Sequence, residues 1–190
     1  MQSIPGPLAD AFFNPAHVGD AIEPNFVGRA ASFECGATLR ISLRIDASQR
    51  ITEAKFKAAG CTVLVASASL LIDRILGKTS GEAAAIGQDA TALSAPLVAD
   101  AERIVCSTIA CEALLAAIAQ YSNLARDEWE GDEALICTCF GVSERRIEAE
   151  IQTKHLTTIA EVTAACNAGA GCRSCYPLIE DILDDYERGE

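Results

Sequence analysis

Four cysteines in the C-terminal third of the chain are spaced like metal ligands. They form a C-x-C motif, Cys137 and Cys139, and a C-x-x-C motif, Cys172 and Cys175, with 32 residues between the motifs. Four thiolates are the ligand set of a [2Fe-2S] cluster and also of a tetrahedral zinc ion. Two close pairs bring the ligands halfway together before the intervening segment closes the site. The spacing therefore predicts a metal centre held by these four thiolates.

Two other interpretations of these four cysteines stay open at this point. They can be unrelated cysteines or two structural disulfides, but paired spacing in a chain without a secretion signal favours a metal. They can also bind zinc in place of a cluster. A C-x-C motif is an unusual spacing for a zinc ribbon, and helices predicted between the two motifs also disfavour a ribbon.

Three further cysteines lie at predicted boundaries between secondary structure elements. Cys35 precedes a glycine at a turn between strands, Cys61 lies between a strand and a helix, and Cys106 lies at the start of another helix. Because a helix N-terminus lowers the pKa of a thiol, we expect Cys61 and Cys106 to be reactive. Three such thiolates can hold a solvent-accessible cluster or accept sulfur as persulfides. The alternative is that all three are buried structural cysteines.

Two cysteines fall outside both sets. Cys111 follows Cys106 by five residues, which places it about 140° around a helix from Cys106. We expect Cys111 to pack in the core. Cys166 is expected to be a small buried residue beside the C-terminal site.

The elements that must position the first three cysteines are those of an α+β domain. Apolar and polar residues alternate over 38–46 and again over 52–58, which predicts two strands. Residues 29–34 supply a third strand that turns at Cys35. We therefore expect a small antiparallel three-stranded sheet with one polar face.

Helices are predicted after this sheet. The apolar segment 63–76 predicts a helix, and a shorter helix over 81–86 is expected to be capped by Ser80. An Ala- and Leu-rich helix is predicted over 107–121, and a short helical piece around 8–13 precedes the sheet. A sheet followed by helices indicates an α+β domain in which the sheet packs with helices.

The two C-terminal cysteine motifs are joined by two predicted helices. The first begins at Ser143 and breaks near 153–155, and the second has a capping box formed by Thr158 and Glu161. A final helix with Pro177 in its first turn would place Cys175 at a helix N-terminus, where the dipole favours a thiolate.

The predicted organisation is therefore two domains and a linker. We expect a first domain over 1–125, an acidic linker over 126–134, and a small, mostly helical metal-binding domain over 135–190.

Composition restricts the class of protein. The chain has nine cysteines and a formal net charge of −12; residues 1–125 carry 9 Lys and Arg against 12 Asp and Glu, and residues 126–190 carry 6 against 15. Such a chain lacks the basic surface that nucleic-acid binding requires. It shows neither a signal peptide nor an uninterrupted apolar run of membrane-spanning length. We therefore expect a cytoplasmic protein with reduced thiols and without nucleic-acid or membrane partners.

The motifs around the C-terminal cysteines resemble one known domain. Residues 137–143 (Cys-Thr-Cys-Phe-Gly-Val-Ser), the helix at 156–162, and residues 171–177 resemble the bacterioferritin-associated-ferredoxin-like (BFD-like) [2Fe-2S] domain over about residues 135–180. That resemblance implies a permanent, redox-active [2Fe-2S] cluster on the four C-terminal cysteines.

The N-terminal motifs resemble the U-type iron–sulfur scaffold domain. The resemblance rests on residues 13–19 (Phe-Asn-Pro-Ala-His-Val-Gly), 35–36, 56–61 and 106–110, and covers about residues 5–123. It implies a transient [2Fe-2S] or [4Fe-4S] cluster on the three N-terminal cysteines, built with sulfur from a cysteine desulfurase. Together the two halves resemble the NifU-like family of nitrogen fixation, without its usual C-terminal third domain.

The resemblance also implies partners. They are a cysteine desulfurase, apo iron–sulfur acceptors such as nitrogenase components, and a second copy of the chain in a homodimer. Electrons from the C-terminal cluster would reduce persulfide sulfur to sulfide. Because such a scaffold turns over no substrate by itself, we expect that the protein is not an enzyme.

Two positions depart from the family pattern. Ala37 stands where the family usually has Asp, and Val105 stands where it often has His. The Asp is linked to cluster lability, so its absence predicts slower release or a site that is not used for transfer. The alternative functions are therefore an electron carrier or redox sensor that uses only the C-terminal cluster, and a zinc-binding interaction protein.

Overall fold

The computed structural model of the protein describes residues 12–94, 104–127, 131 and 134–188. The chain divides into two units, Met1–Gln120 and Tyr121–Glu190. A three-stranded sheet and helices form the first unit, and the second is mostly helical with a two-stranded sheet. The predicted α+β class is confirmed.

Alternating apolar residues build the antiparallel sheet of the first unit. Its strands are β1 (Phe26–Ala31), β2 (Thr38–Ile45) and β3 (Ile51–Ala59), in the order β1-β2-β3. The alternating apolar residues of β2 are buried: Leu39, Ile41, Leu43 and Ile45. Burial of one face specifies the register, because a slip by one residue would turn these side chains to solvent.

The first strand begins three residues earlier than the sequence pattern predicts. Phe26 is buried opposite Leu43, whereas Phe33 is fully exposed in the turn that carries Cys35. The Ser32 N–H donates to the Ala37 carbonyl and closes this turn. Strand β1 thus ends at Ala31 because the chain already reverses at Ser32.

The first unit contains the helices α1 (Thr62–Ile75), α2 (Ser80–Gly87) and α3 (Ala90–Ser94), and α4 (Ile104–Asp127) begins in this unit and ends in the second. The prediction of Ser80 as the cap of α2 is wrong. Thr79 is the N-cap and forms a capping box with Glu82, and Ser80 is the first helical residue. Helix α3 was not predicted from the sequence, and the piece predicted around 8–13 lies mostly outside the described residues.

Helix α4 lies directly against the sheet of the first unit. A Cβ added to Gly28 of β1 would lie 1.8 Å from the Ala113 carbonyl oxygen, so only glycine permits this approach. The segment Val105–Leu124 is long and apolar enough to cross a membrane by length and composition alone, and half of it is buried inside the protein. Its contact with β1 gives its apolar residues a place in the core of a folded domain.

The second unit contains β4 (Leu135–Cys137), β5 (Val142–Ser143), α5 (Glu144–Lys154), α6 (Ile159–Cys166) and α7 (Tyr176–Arg188). Strands β4 and β5 form a hairpin that the sequence did not reveal. Ser143 caps α5, and the predicted capping box of Thr158 and Glu161 is confirmed at the start of α6. Pro177 is the second residue of α7, as the sequence predicts for a first-turn proline.

The domain bounds stay a prediction. Helix α4 extends to Asp127, so Arg126 and Asp127, the first two residues of the predicted linker, are helical. Most of the remaining linker, with Trp129, lies outside the described residues.

Candidate metal centres

The hairpin and the start of helix α7 bring the four C-terminal cysteines together. Cys137 ends β4, Cys139 lies in the following turn, and Cys172 and Cys175 precede α7. The Sγ atoms of Cys139 and Cys172 are 3.4 Å apart. The thiols of Cys137 and Cys175 also interact by a hydrogen bond. Each contact joins one cysteine of the C-x-C motif to one of the C-x-x-C motif.

The two thiol pairs differ in their exposure. Cys137 and Cys175 are buried, Cys139 is half-buried and Cys172 is exposed. The pair of Cys139 and Cys172 therefore lies at the solvent edge of the site, and the other pair lies beneath it.

Burial and hydrogen bonds shift the pKa values of these thiols in opposite directions. Burial, and then the neighbouring Cys137, raise the pKa of Cys175 to about 12. The Ser174 hydroxyl and backbone N–H, followed by the Cys139 thiol, lower the pKa of Cys172 to about 7. Desolvation of the thiolate thus works against the effect that the sequence predicts for Cys175 at the N-terminus of α7.

The pKa of Cys139 results from opposing contacts. The Cys172 backbone N–H hydrogen-bonds the Cys139 thiol and lowers its pKa, but burial and the thiols of Cys172 and Cys137 together raise it above its usual value. Three of the four cysteines thus receive hydrogen bonds from backbone N–H groups of the C-x-x-C segment, and such groups can also donate to cluster sulfur.

A glycine at the start of the second motif leaves the room that the site requires. A Cβ added to Gly171 would lie 2.8 Å from the Cys139 Cβ and 3.0 Å from its Sγ. The donor set, the two thiol pairs and this cradle fit a [2Fe-2S] cluster, which binds two metal ions to four thiolates.

The N-terminal cysteines occupy the element boundaries that the sequence predicts. Cys35 lies in the β1–β2 turn, Cys61 is the N-cap of α1, and Cys106 is the third residue of α4. The Sγ atoms of Cys61 and Cys106 are 3.0 Å apart, although the two residues are 45 positions apart in the chain. Among the described residues, no group of three or more His, Cys, Asp or Glu side chains is arranged to hold one metal ion. This holds for the four C-terminal cysteines as well as for the three N-terminal ones, so the thiol contacts that the structure shows at each site are pairs.

The Cys35 thiol is exposed and activated by its own turn. A hydrogen bond from the Ser32 hydroxyl, and then one from the Ala37 backbone N–H, lower the pKa of Cys35 below its usual value. The turn thus favours the thiolate, which is both the metal ligand and the nucleophile.

Buried contacts fix the ends of α1 and α4 that carry Cys61 and Cys106. The hydroxyls of Ser67 and Ser107, both fully buried, hydrogen-bond at 3.0 Å. Cys106 also packs against the apolar cluster that contains Val63 and Ala66. Because buried hydroxyls lose free energy without a partner, this contact helps to hold the two helix ends in register.

His17, the histidine of the first unit, is not placed to assist the N-terminal cysteines. The His17 Nε2 contacts the Asp73 carboxylate at 2.9 Å. Asp73 follows Cys61 by twelve residues, about 18 Å along α1.

The two positions that depart from the family pattern differ in exposure. Ala37 is buried with 3% of its surface exposed, whereas Val105, beside Cys106, is 43% exposed. A side chain larger than alanine at position 37 therefore has to enter packed structure next to the Cys35 turn.

Cys111 and Cys166 are buried, as the sequence predicts. Burial raises the pKa of Cys111 to about 11 and also raises the pKa of Cys166. The Cys166 thiol donates a hydrogen bond to the Val162 carbonyl at 3.3 Å. Burial thus disfavours the thiolate form of both residues, as expected of core cysteines.

Sequence reasoning missed the polar neighbours of the two activated thiols. Ser32 precedes Cys35 by three residues, and Ser174 lies inside the C-x-x-C motif. A serine this close to a candidate ligand is the signal that could have identified them, because its hydroxyl can reach a thiolate within one turn of chain.

Comparison with known proteins matches both units. Residues 6–127 match the family described as NifU-like N terminal domain, and residues 135–185 match the BFD-like [2Fe-2S] binding domain. A nitrogen fixation protein NifU from Trichormus azollae is 34% identical over 192 residues, which cover 96% of this chain and 64% of that protein. The chain thus spans less than two thirds of the length of that relative.

A second relative and a solved structure match a smaller part. The iron-sulfur cluster assembly scaffold protein IscU from Haemophilus influenzae is 36% identical over 119 residues, which cover 60% of this chain and 91% of that protein. A crystal structure described as an iron-sulfur cluster assembly scaffold protein for the SUF system, from Fervidobacterium islandicum AW-1, has a TM-score of 0.51 at 20% identity. It covers 60% of this chain and 94% of that chain, and this likeness shows the fold alone.

Proposed function

We propose that this chain, which belongs to the NifU-like family because residues 6–127, more than half of the chain, match that family, is an iron–sulfur cluster assembly scaffold. In this proposal, the first unit assembles a transient cluster on Cys35, Cys61 and Cys106 and delivers it to apo-proteins. The second unit holds a resident [2Fe-2S] cluster on Cys137, Cys139, Cys172 and Cys175.

The observation that carries the proposal is the 3.0 Å contact between the Cys61 and Cys106 thiols. These cysteines come from separate helices, and the fold brings their side chains together near the surface. Two thiols this close need to separate only slightly to ligate one iron, and a third thiolate on a short turn can join or leave them. Such an incomplete ligand set suits a cluster that is cargo, because a cluster held by fewer protein ligands is released more readily.

In the proposed reaction, the N-terminal cluster is the product and iron and sulfur are the substrates. The Cys35 turn favours the thiolate, since hydrogen bonds from Ser32 and Ala37 lower the pKa of this thiol. Reduction of a persulfide sulfur to sulfide takes two electrons. When bound, a [2Fe-2S] cluster in the second unit supplies electrons one at a time, so two transfers are needed.

The residues of the second unit have distinct roles in this proposal. Cys137 and Cys175 anchor the buried side of the resident cluster, and Gly171 keeps room for Cys139. Ser174 and the backbone N–H groups donate to the thiolates. The edge of Cys139 and Cys172 is where electrons would enter or leave, because it is the side open to solvent.

The proposed partners follow from the family. They are a cysteine desulfurase, apo iron–sulfur proteins that include nitrogenase components, and a second copy of the chain in a homodimer. We propose that the protein acts in the cytoplasm as a scaffold and does not catalyse turnover of a substrate by itself.

The test is iron and acid-labile sulfide per chain, with visible spectra, on anaerobic protein before and after incubation with desulfurase, cysteine and ferrous iron. We expect a [2Fe-2S] signal at the start and additional cluster afterwards. Cys35→Ala is expected to abolish only the additional cluster. Cys111→Ala is the matched control, since that cysteine is buried in the core and its loss should leave the cluster count unchanged.

The same experiment distinguishes the scaffold function from a second candidate function. A buried Ala37 in place of the family Asp favours an electron carrier or redox sensor with an inactive scaffold site. If the initial cluster is the only one ever formed, that alternative holds and the scaffold proposal fails. Visible absorption that bleaches with dithionite would exclude zinc at the C-terminal site.

A further inference from the structure

A cavity on the solvent face of the three-stranded sheet carries an excess of positive charge. Its volume is about 530 Å³, and its lining includes Arg29, Arg40 and Lys57 beside the small residues Ala31, Thr38 and Ala59. Volumes of this size are typical of small-molecule sites.

The three cations form one row across the sheet. Arg29 of β1 lies opposite Arg40 of β2, and Arg40 lies opposite Lys57 of β3. Like charges in directly opposite positions destabilise a sheet. With strands about 4.8 Å apart, the row is about 10 Å wide. An arrangement that lowers stability in this way points to a use for the charge.

One carboxylate of the chain, that of Asp20, forms ion pairs with this row of cations. Asp20 pairs with both Arg40 and Lys57, which lower its pKa. Arg29 is exposed and has no ion-pair partner among the described residues. The Arg40 Nε is buried without a hydrogen-bond partner. Three cations thus share one anion, and the exposed Arg29 guanidinium remains available to a ligand.

We propose that this cavity binds a small polycarboxylate anion. A ligand with two or three carboxylates can reach Arg29 and the Arg40–Lys57 side of the row together, whereas an acetate ion reaches one end. Guanidinium groups suit carboxylates because they present several donors in one plane. Asp20 occupies part of the row and competes with the ligand.

The place of the cavity indicates what the anion is for. Thr38 and Ala59, which line it, are separated from Cys35 and Cys61 by two and one residues of chain. A polycarboxylate that chelates iron would therefore hold the metal beside the cysteine loops. This role as an iron-delivery site rests on the proposed scaffold function, whereas binding of the anion does not.

Calorimetric titration of the full metal-free chain with citrate, at low and moderate salt, tests the site. Arg29→Gln is expected to weaken citrate binding about tenfold, because one charge-assisted hydrogen bond is lost. Asp20→Asn is expected to tighten it about fivefold, because a competing charge is removed. Arg44→Gln is the matched control, since Arg44 lies on the same face of β2 outside the cavity.

Binding of the anion and its role in iron delivery are tested by separate outcomes. Citrate binding that is absent, no tighter than acetate binding, or equally weakened by Arg44→Gln would overturn the site. Unchanged melting temperatures of the variants show that a loss of binding is not a loss of fold. For the iron role, we compare initial rates of cluster assembly from ferrous citrate and from ferrous ammonium sulfate. Arg29→Gln is expected to lower the ratio of these rates, and an unchanged ratio would overturn iron delivery while the scaffold function stands.

Discussion

Replacement of Gly171 by alanine is predicted to lower the cluster content of the second unit by more than half without unfolding that unit. The added Cβ would lie 2.8 Å from the Cys139 Cβ, and ordinary contacts begin at 3.4 Å, so Cys139 must move by about 0.6 Å. Metal–ligand distances tolerate about 0.2 Å. The required movement is about three times that tolerance. The backbone itself is not the obstacle, because Gly171 does not have a positive φ.

The assay for Gly171→Ala is iron and sulfide per chain and the visible spectrum of anaerobically isolated protein. We expect iron at the second unit to fall below half of the wild-type amount, with far-UV circular dichroism unchanged. Gly87→Ala is the control, since its Cβ would meet only flexible Leu114 and Leu115 side-chain atoms at 3.2 Å or more in the first unit. Full cluster occupancy in Gly171→Ala, with an unshifted spectrum, would refute the assignment of Cys139 as a ligand held by this cradle.

Three further predictions concern the thiols and the sheet. In the metal-free protein, Ser174→Ala should raise the pKa of Cys172 from about 7. For a one-unit rise, the thiolate fraction at pH 7 falls from about one half to about one tenth, and the pH midpoint of iodoacetamide labelling moves upward. Peptide mass spectrometry of the labelled chain measures this midpoint, which Ser174→Thr should leave low. Gly28→Ala should destabilise the first unit by about 3 kcal/mol, because its Cβ would meet the Ala113 carbonyl at 1.8 Å; a urea titration that finds less than about 1 kcal/mol contradicts this packing. Ala37→Asp should place a carboxylate beside Cys35 and raise the pKa of that thiol. This variant should transfer its cluster to an apo-ferredoxin faster than the uncharged Ala37→Asn does. Equal transfer kinetics of the two variants would count against the role of this position in cluster release.

Local features of the chain were predictable because they depend on neighbouring residues. The alternation over β2 predicts one buried face, and the structure buries Leu39 and Ile41 there. The capping box of Thr158 and Glu161 needs only residues three positions apart. The prediction was wrong where two adjacent residues are both suited to be the N-cap of the same helix. Thr79 and Ser80 can both cap a helix, and Thr79 does so because Glu82 completes its box.

The sequence by itself determined the α+β class, the two sets of cysteines and the helices between the C-terminal motifs. Only the tertiary structure decided which thiols meet, because Cys61 and Cys106 approach across 45 positions of chain through the packing of α1 and α4. It also decided the opposite pKa shifts of Cys172 and Cys175, which lie three residues apart but differ in exposure. The cation row is likewise invisible in the sequence, since Arg29, Arg40 and Lys57 become neighbours only through strand register. Burial, thiol contacts and register all depend on where distant segments lie, and the order of residues alone does not specify that.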